Sequence, residues 1–210
     1  MDISLSNVNI EYLDTTESAI WGKNISFLPD IYYQVVAKSG KGKSSFVHLL
    51  FGLNQQYTGD IFYNQKKIKS LSQAEWASIR SNKMSIVFQD LKLFEDKTAI
   101  QNLLIKNELT HYYDKSKIEY FAQSLHVSHT LNRTIQTLSY GERQRIAIIR
   151  AMLQPFEVLL LDEPFSHLDE ENINRCIQLI QDEVQKRKAT IIHCDLEPRT
   201  YFSNAQMLML

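Results

Sequence analysis

The residues from Tyr32 to Gly52 leave the chain little choice of local structure. Tyr32, Tyr33, Val35 and Val36 are β-formers that make a short buried strand, and the polar, glycine-broken run from Ala37 to Gly42 must turn sharply before Ser44 to Gly52 takes up a helical pattern. The predicted order is strand, loop, helix. In that order the backbone N–H groups of Ser39, Gly40, Lys41, Gly42, Lys43, Ser44 and Ser45 and the positive end of the new helix point into one hollow, which suits a polyphosphate. Lys43 then reaches the outer phosphates and Ser44 offers its hydroxyl to Mg²⁺. The phosphate-loop pattern begins with glycine, and here Ala37 stands in that place; if the position needs a positive φ, the loop is strained.

The bulk of the sequence narrows the partners. At 210 residues and 44% hydrophobic, the chain can bury a sizeable core, and one compact unit is expected. A formal net charge of −1 gives no electrostatic reason to expect nucleic acid or an anionic lipid surface as a partner. Cys176 and Cys194 are too few for a disulfide framework and wrongly spaced for zinc, which fits a reducing compartment. The stretch Met1 to Tyr12 lacks the basic, apolar and small-residue regions of a secretion signal, and no apolar run approaches bilayer length. The chain is expected to be soluble, with any membrane role exerted through a partner.

Along the chain, apolar residues recur every second place at Ile3 and Leu5, then at Val8, Ile10 and Tyr12, and again around Trp21, Ile25 and Phe27. These read as half-buried antiparallel strands, and 58–64 with 66–68 read as a hairpin. Ser72, with Glu75 three residues on, caps a short helix over 72–81, and a strand over 84–88 ends at Gln89-Asp90. From Thr98 to Val127 the spacing switches to helical, which predicts an all-helical lobe over about 91–154. A long amphipathic helix over 169–188 and closing strands at 190–194 and 206–210 complete a mainly parallel α/β core.

The second strong signal is Val158-Leu159-Leu160-Leu161-Asp162-Glu163. An apolar strand of this kind is buried on both faces of a parallel sheet, and its end delivers two adjacent carboxylates to the edge where ligands of open α/β folds bind. Asp162 suits a role holding Mg²⁺ through water, and Glu163 suits polarising an attacking water.

The third signal is Leu138-Ser139-Tyr140-Gly141-Glu142, which closely resembles the LSGGQ signature of ATP-binding cassette (ABC) ATPases. Other stations resemble the family in the correct order: Gln89 looks like the Q-loop, Ser166-His167-Leu168-Asp169 like the D-loop after Asp-Glu-Pro, and Tyr12 like the aromatic that stacks on adenine. The resemblance covers nearly the whole chain and implies one cassette over 1–210, with a P-loop NTPase core, an antiparallel β subdomain and a helical signature lobe. It implies ATP and Mg²⁺ as ligands, with Ser44, Gln89 and Asp162 at the metal. Ser139 and Gly141 are then expected on the γ-phosphate of an ATP held by a second copy or a second, different cassette, closed head to tail, with Glu142, which replaces the signature glutamine, among the nucleotide-binding residues. It further implies hydrolysis at Glu163 and Gln89, a transmembrane permease as partner, and a place at the inner face of the cell membrane.

The switch histidine of the family is expected within Ile192-His193-Cys194-Asp195. Anchoring on Asp195 puts Cys194 at that position, whereas a slightly shortened strand lets His193 serve as a catalytic residue. The compact helical lobe looks most like cassettes of lipoprotein-release, macrolide-export and cell-division systems. A soluble ABC ATPase unconnected with transport, or an ATP-sensing module with little turnover, are the alternatives.

Overall fold

The computed structural model describes residues 1–11 and 17–210, so the expected adenine contact Tyr12 lies outside the described residues. The fold is organised by β7 (Val158–Asp162), whose five residues are all buried. It lies between β6 (Met84–Val87) and β8 (Thr190–Asp195) in a five-stranded sheet completed by β3 (Tyr32–Val36) and β9 (Gln206–Met209), in the order β6-β7-β8-β3-β9. All four pairings are parallel.

Alternation along β7 divides the interior. Val158 and Leu160 join an apolar cluster on one face, with Phe46, Val47 and Leu50 of α1 (Lys43–Leu50) and the inward side of a second sheet. Leu159 and Leu161 join another cluster on the opposite face, with Leu103 of α3 (Ala99–Asn107), Phe121 of α4 (Lys115–Ser124), Ile148 of α5 (Tyr140–Met152) and Ile180 of α6 (Glu170–Arg187). Each fully buried leucine contributes about 1.5–3 kcal/mol, so this one strand anchors both halves.

The second sheet is antiparallel, in the order β2-β1-β4-β5, with β1 (Ile3–Asn9), β2 (Asn24–Phe27), β4 (Thr58–Tyr63) and β5 (Lys66–Lys67). The switch of apolar phase between Leu5 and Val8 is a bulge: Asn7 has φ 50 and the pairing with β4 shifts between Ser6 and Asn9. The strand expected around Trp21, Ile25 and Phe27 is shorter, because Gly22 turns at φ 68 and only Asn24–Phe27 pairs with β1. The helix α2 (Gln73–Asn82) begins at Ser72 with a complete capping box to Glu75.

The segments beyond β6 are fastened to α6 by a buried polar clamp. Glu183, 1% exposed, accepts from the Tyr113 hydroxyl at 2.6 Å and from Arg187 at 2.6 Å, while Arg187 also donates to the Met152 carbonyl at the end of α5. Burial by itself pushes the carboxyl up, but the Tyr113 hydroxyl, Lys186 and Arg187 outweigh it and hold it below the ordinary glutamate range. Its stabilising contribution is therefore present above the unfolded pKa and lost as pH falls through the folded one. Glu183→Ala leaves Arg187 buried without its counter-charge and is expected to cost about 3–5 kcal/mol in urea unfolding. A loss below about 1 kcal/mol would remove the clamp from the account.

Candidate active site

The loop between β3 and α1 is shaped by two left-handed glycines, Gly40 at φ 78 and Gly42 at φ 95. A Cβ at Gly40 would meet nothing within 4 Å, so glycine is required there for its backbone conformation and not for space. Gly42 is the N-cap of α1 and makes no side-chain cap bond, and the positive end of the helix faces the loop hollow. Ala37 is absent from the positive-φ residues, is 3% exposed, and donates its N–H to the Asp195 carbonyl at 3.1 Å. Alanine at the first loop position therefore carries no backbone strain.

Lys43 begins α1 and is 6% exposed. Its Nζ donates to the Ala37 carbonyl at 2.8 Å and lies 3.3 Å from Glu163 Oε1. That approach depends on a kink. Continuing the alternation of β7 would carry residue 163 to the face of Leu159 and Leu161, away from α1. Instead Glu163 adopts φ 46, anchored by its N–H on the Cys194 carbonyl at 3.0 Å, and its carboxylate reaches the lysine. A left-handed glutamate costs about 1–3 kcal/mol, strain of a kind that persists where the surroundings over-determine it.

Asp162 ends β7 on the α1 side, at 1% exposure, and its Oδ1 has no hydrogen-bond partner among the described residues. Burial pushes this carboxyl up, the Ser44 hydroxyl pulls it down, and the charge of Glu163 pushes it up again. The Ser44 hydroxyl also donates to Gln89 Oε1 at 3.3 Å. Ser44, Gln89 and Asp162 thus offer neighbouring oxygen atoms, one of them a buried orphan, which is the donor set of a hard divalent cation such as Mg²⁺. Ser39, Gly40, Gly42, Lys43, Ser44, Ser45, Gln89 and Glu163 line a cavity of about 330 Å³, and Asp162 lies behind its lining. Lys41 belongs to the same loop but is not among its lining residues.

Ser139 caps α5, with Glu142 completing the box: Glu142 N–H donates to Ser139 Oγ at 3.3 Å, and Ser139 N–H donates to Glu142 Oε2 at 2.8 Å. His129 lies 3.1 Å from the other carboxylate oxygen. The Glu142 carboxylate is thus turned back onto the helix start, where it satisfies orphan donors. Gly141 packs tightly, and a Cβ there would meet the His167 carbonyl and Leu168 at 3.3 Å. Neither Ser139 nor Gly141 lines the cavity above the loop of the same chain.

His193 stands on the other face of the sheet. It pairs with Leu161 in the sheet, so its ring shares the face opposite α1, 1% exposed among Phe165, Tyr201 and Phe202. Burial pushes its pKa down to about 3, so the imidazole is neutral near pH 7, and it does not line the loop cavity. Cys194 pairs with Asp162 and lies on the α1 side, but burial holds its thiol well above the ordinary value. Two contributors escaped the sequence reading. Gln144, 1% exposed, donates to the Glu163 carbonyl at 3.4 Å and accepts from the His167 N–H at 3.3 Å, and the Tyr140 hydroxyl donates to the Gln89 carbonyl at 3.0 Å. A single glutamine on the buried side of α5 was the only sign of the first.

Fold and loop together define a nucleoside triphosphatase of the phosphate-loop class. Residues 22–166 match the ABC transporter family, and the chain belongs to that family as one of its ATP-binding, ATPase cassettes. It is 30% identical over 194 residues to the uncharacterized ABC transporter ATP-binding protein YclH of Bacillus subtilis, covering 90% of this chain and 84% of that one. It is 34% identical over 149 residues to the lipoprotein-releasing system ATP-binding protein LolD of Buchnera aphidicola, covering 70% of this chain and 65% of LolD. The fold is that of the dimeric bacterial ABC transporter cassette MJ0796, with a TM-score of 0.82 at 21% identity over 99% of this chain and 94% of MJ0796.

Because the folded histidine protonates only near pH 3 while an unfolded one does so near about 6.5, stability due to His193 falls as pH drops below about 6.5. His193→Leu is expected to flatten the pH dependence of unfolding between pH 6.5 and 5, where the slope approaches about 1.4 kcal/mol per unit, and to leave ATP turnover within about twofold. A tenfold loss of turnover at full stability would return the residue to the active site.

Proposed function

We propose that this chain is the ATP-hydrolysing subunit of an ABC transporter-type complex, working as a head-to-tail pair with a second copy or a related cassette and driving a transmembrane permease from the inner face of the cell membrane. The observation that carries the reading is the buried Lys43–Glu163 contact at the mouth of an uncapped helix. A triphosphate entering the loop takes over the lysine, and the carboxylate is released toward water.

In this reading the N–H groups of the loop and Lys43 bind the β and γ phosphates. Mg²⁺, when bound, neutralises phosphate charge, and Ser44, Gln89 and Asp162 are the residues that would hold it. Glu163 accepts a hydrogen bond from the attacking water, whose oxygen bonds to the γ-phosphorus as the bond to the bridging oxygen breaks, giving ADP and phosphate. Ser139 and Gly141 serve the partner's nucleotide, which agrees with their absence from the cavity of their own chain. The dimeric state of MJ0796 supports the pairing, and the transporter names of YclH and LolD support the permease. No helix among the described residues is long and apolar enough to cross a membrane, so the membrane contact is assigned to the partner. A groove of about 260 Å³ beside the Gln89 loop, lined by Phe88, Phe94, Ile105 and Leu109, is the surface assigned to it.

Glu163→Gln keeps the loop but removes the carboxylate, and it is expected to convert the monomer to a dimer with saturating Mg-ATP in size-exclusion chromatography with light scattering. A monomer under those conditions would contradict head-to-tail pairing. Lys43→Ala is expected to weaken ATP binding at least about tenfold, the value of one charged hydrogen bond of about 1.5–3 kcal/mol. Unchanged affinity would remove Lys43 from the site.

A further inference from the structure

Tyr140 sits where the rest of the signature favours glycine, and its side chain leaves the α5 start and crosses to the loop after β6. The hydroxyl donates to the Gln89 carbonyl at 3.0 Å, and the ring lies on His167 with centroids 4.1 Å apart. At the other end of the same helix, about 15 Å away at 1.5 Å per residue, Arg150 donates to the carbonyls of Leu91 at 2.6 Å and Lys92 at 2.5 Å. Leu91 and Lys92 both have positive φ, at 61 and 47, a backbone that needs such support. Arg150 therefore secures the far side of the turn. Tyr140 secures Gln89 itself, whose Oε1 meets the Ser44 hydroxyl.

We propose that Tyr140 is a positioning residue for the cation site: its hydroxyl fixes the Gln89 backbone so that Gln89 Oε1 stands beside Ser44 and Asp162. The inference rests on the reading of those three residues as the Mg²⁺ holders. Tyr140 is 40% exposed, so removing its hydroxyl leaves the Gln89 carbonyl to water and does not threaten the fold. The anion-binding N–H groups belong to a different loop. The effect is therefore confined to the cation.

The test measures binding of a fluorescent ATP analogue in EDTA and across a Mg²⁺ titration, for wild type, Tyr140→Phe, Gln89→Ala and the double variant, together with thermal unfolding. Tyr140→Phe is expected to raise the Mg²⁺ concentration for half-maximal enhancement at least threefold, with affinity in EDTA within twofold and an unchanged melting temperature. In the Gln89→Ala background the same substitution is expected to add nothing, since it acts through the residue already removed. A normal Mg²⁺ response in Tyr140→Phe, an equal loss with and without Mg²⁺, or a full effect without the Gln89 side chain would each overturn the inference alone. A wild-type chain whose nucleotide binding ignores Mg²⁺ would overturn the cation reading with it.

Discussion

Lys43 has one ammonium group and almost no water around it, so its charge must be met by protein or by ligand. Among the described residues that demand is met by the carbonyls of Ala37 and, at 3.5 Å, Lys38, and by the Glu163 carboxylate. A buried cation stripped of its partner is costly, whereas one exchanging a partner for another is not. The loop is consequently stable when empty and still disposed toward an anion, because a polyphosphate offers more negative charge and more acceptors than one carboxylate. Three separate features exist to present that lysine: the left-handed glycines, the uncapped start of α1 and the kink at Glu163.

The sheet behind the site explains why the kink can be held. β7 is packed on both faces and flanked by parallel neighbours, and Glu163 is anchored through the Cys194 carbonyl and Gln144. Gln144 belongs to α5, the helix that also carries Ser139, Tyr140 and Arg150. One helix thus touches the turn after β7, the turn after β6 and the signature. α5 joins the turn after β7 to the turn after β6, and its Arg150 also lines the surface groove.

What could be read from the sequence is what depends on near neighbours or on strict periodicity. The capping boxes at Ser72 and Ser139, the buried character of β7 and the loop before α1 all follow from residues within a few places of each other. Even the bulge at Asn7 is visible as a break in the phase of alternation. Illegible features were those decided by a single register step or by distant pairing. His193 and Cys194 are adjacent yet face opposite sides, and only the pairing of β8 with β7 tells which side holds the phosphate loop. Glu142 stands at the glutamine position of the signature, and the local demand of helix capping claims its carboxylate. The Tyr140 contact joins residues 51 places apart, and no pattern announces it.

The lysine-centred loop is built for the outer phosphates of a nucleotide and not for its base or sugar. Calorimetric titration of the wild-type chain with Mg-ATP and with AMP tests this directly. The account requires about one ATP per chain and an affinity for AMP at least about 100-fold weaker, since AMP lacks the groups that replace Glu163 at Lys43, a difference of about 2.7 kcal/mol. Equal affinities, or no heat with either ligand, would contradict it.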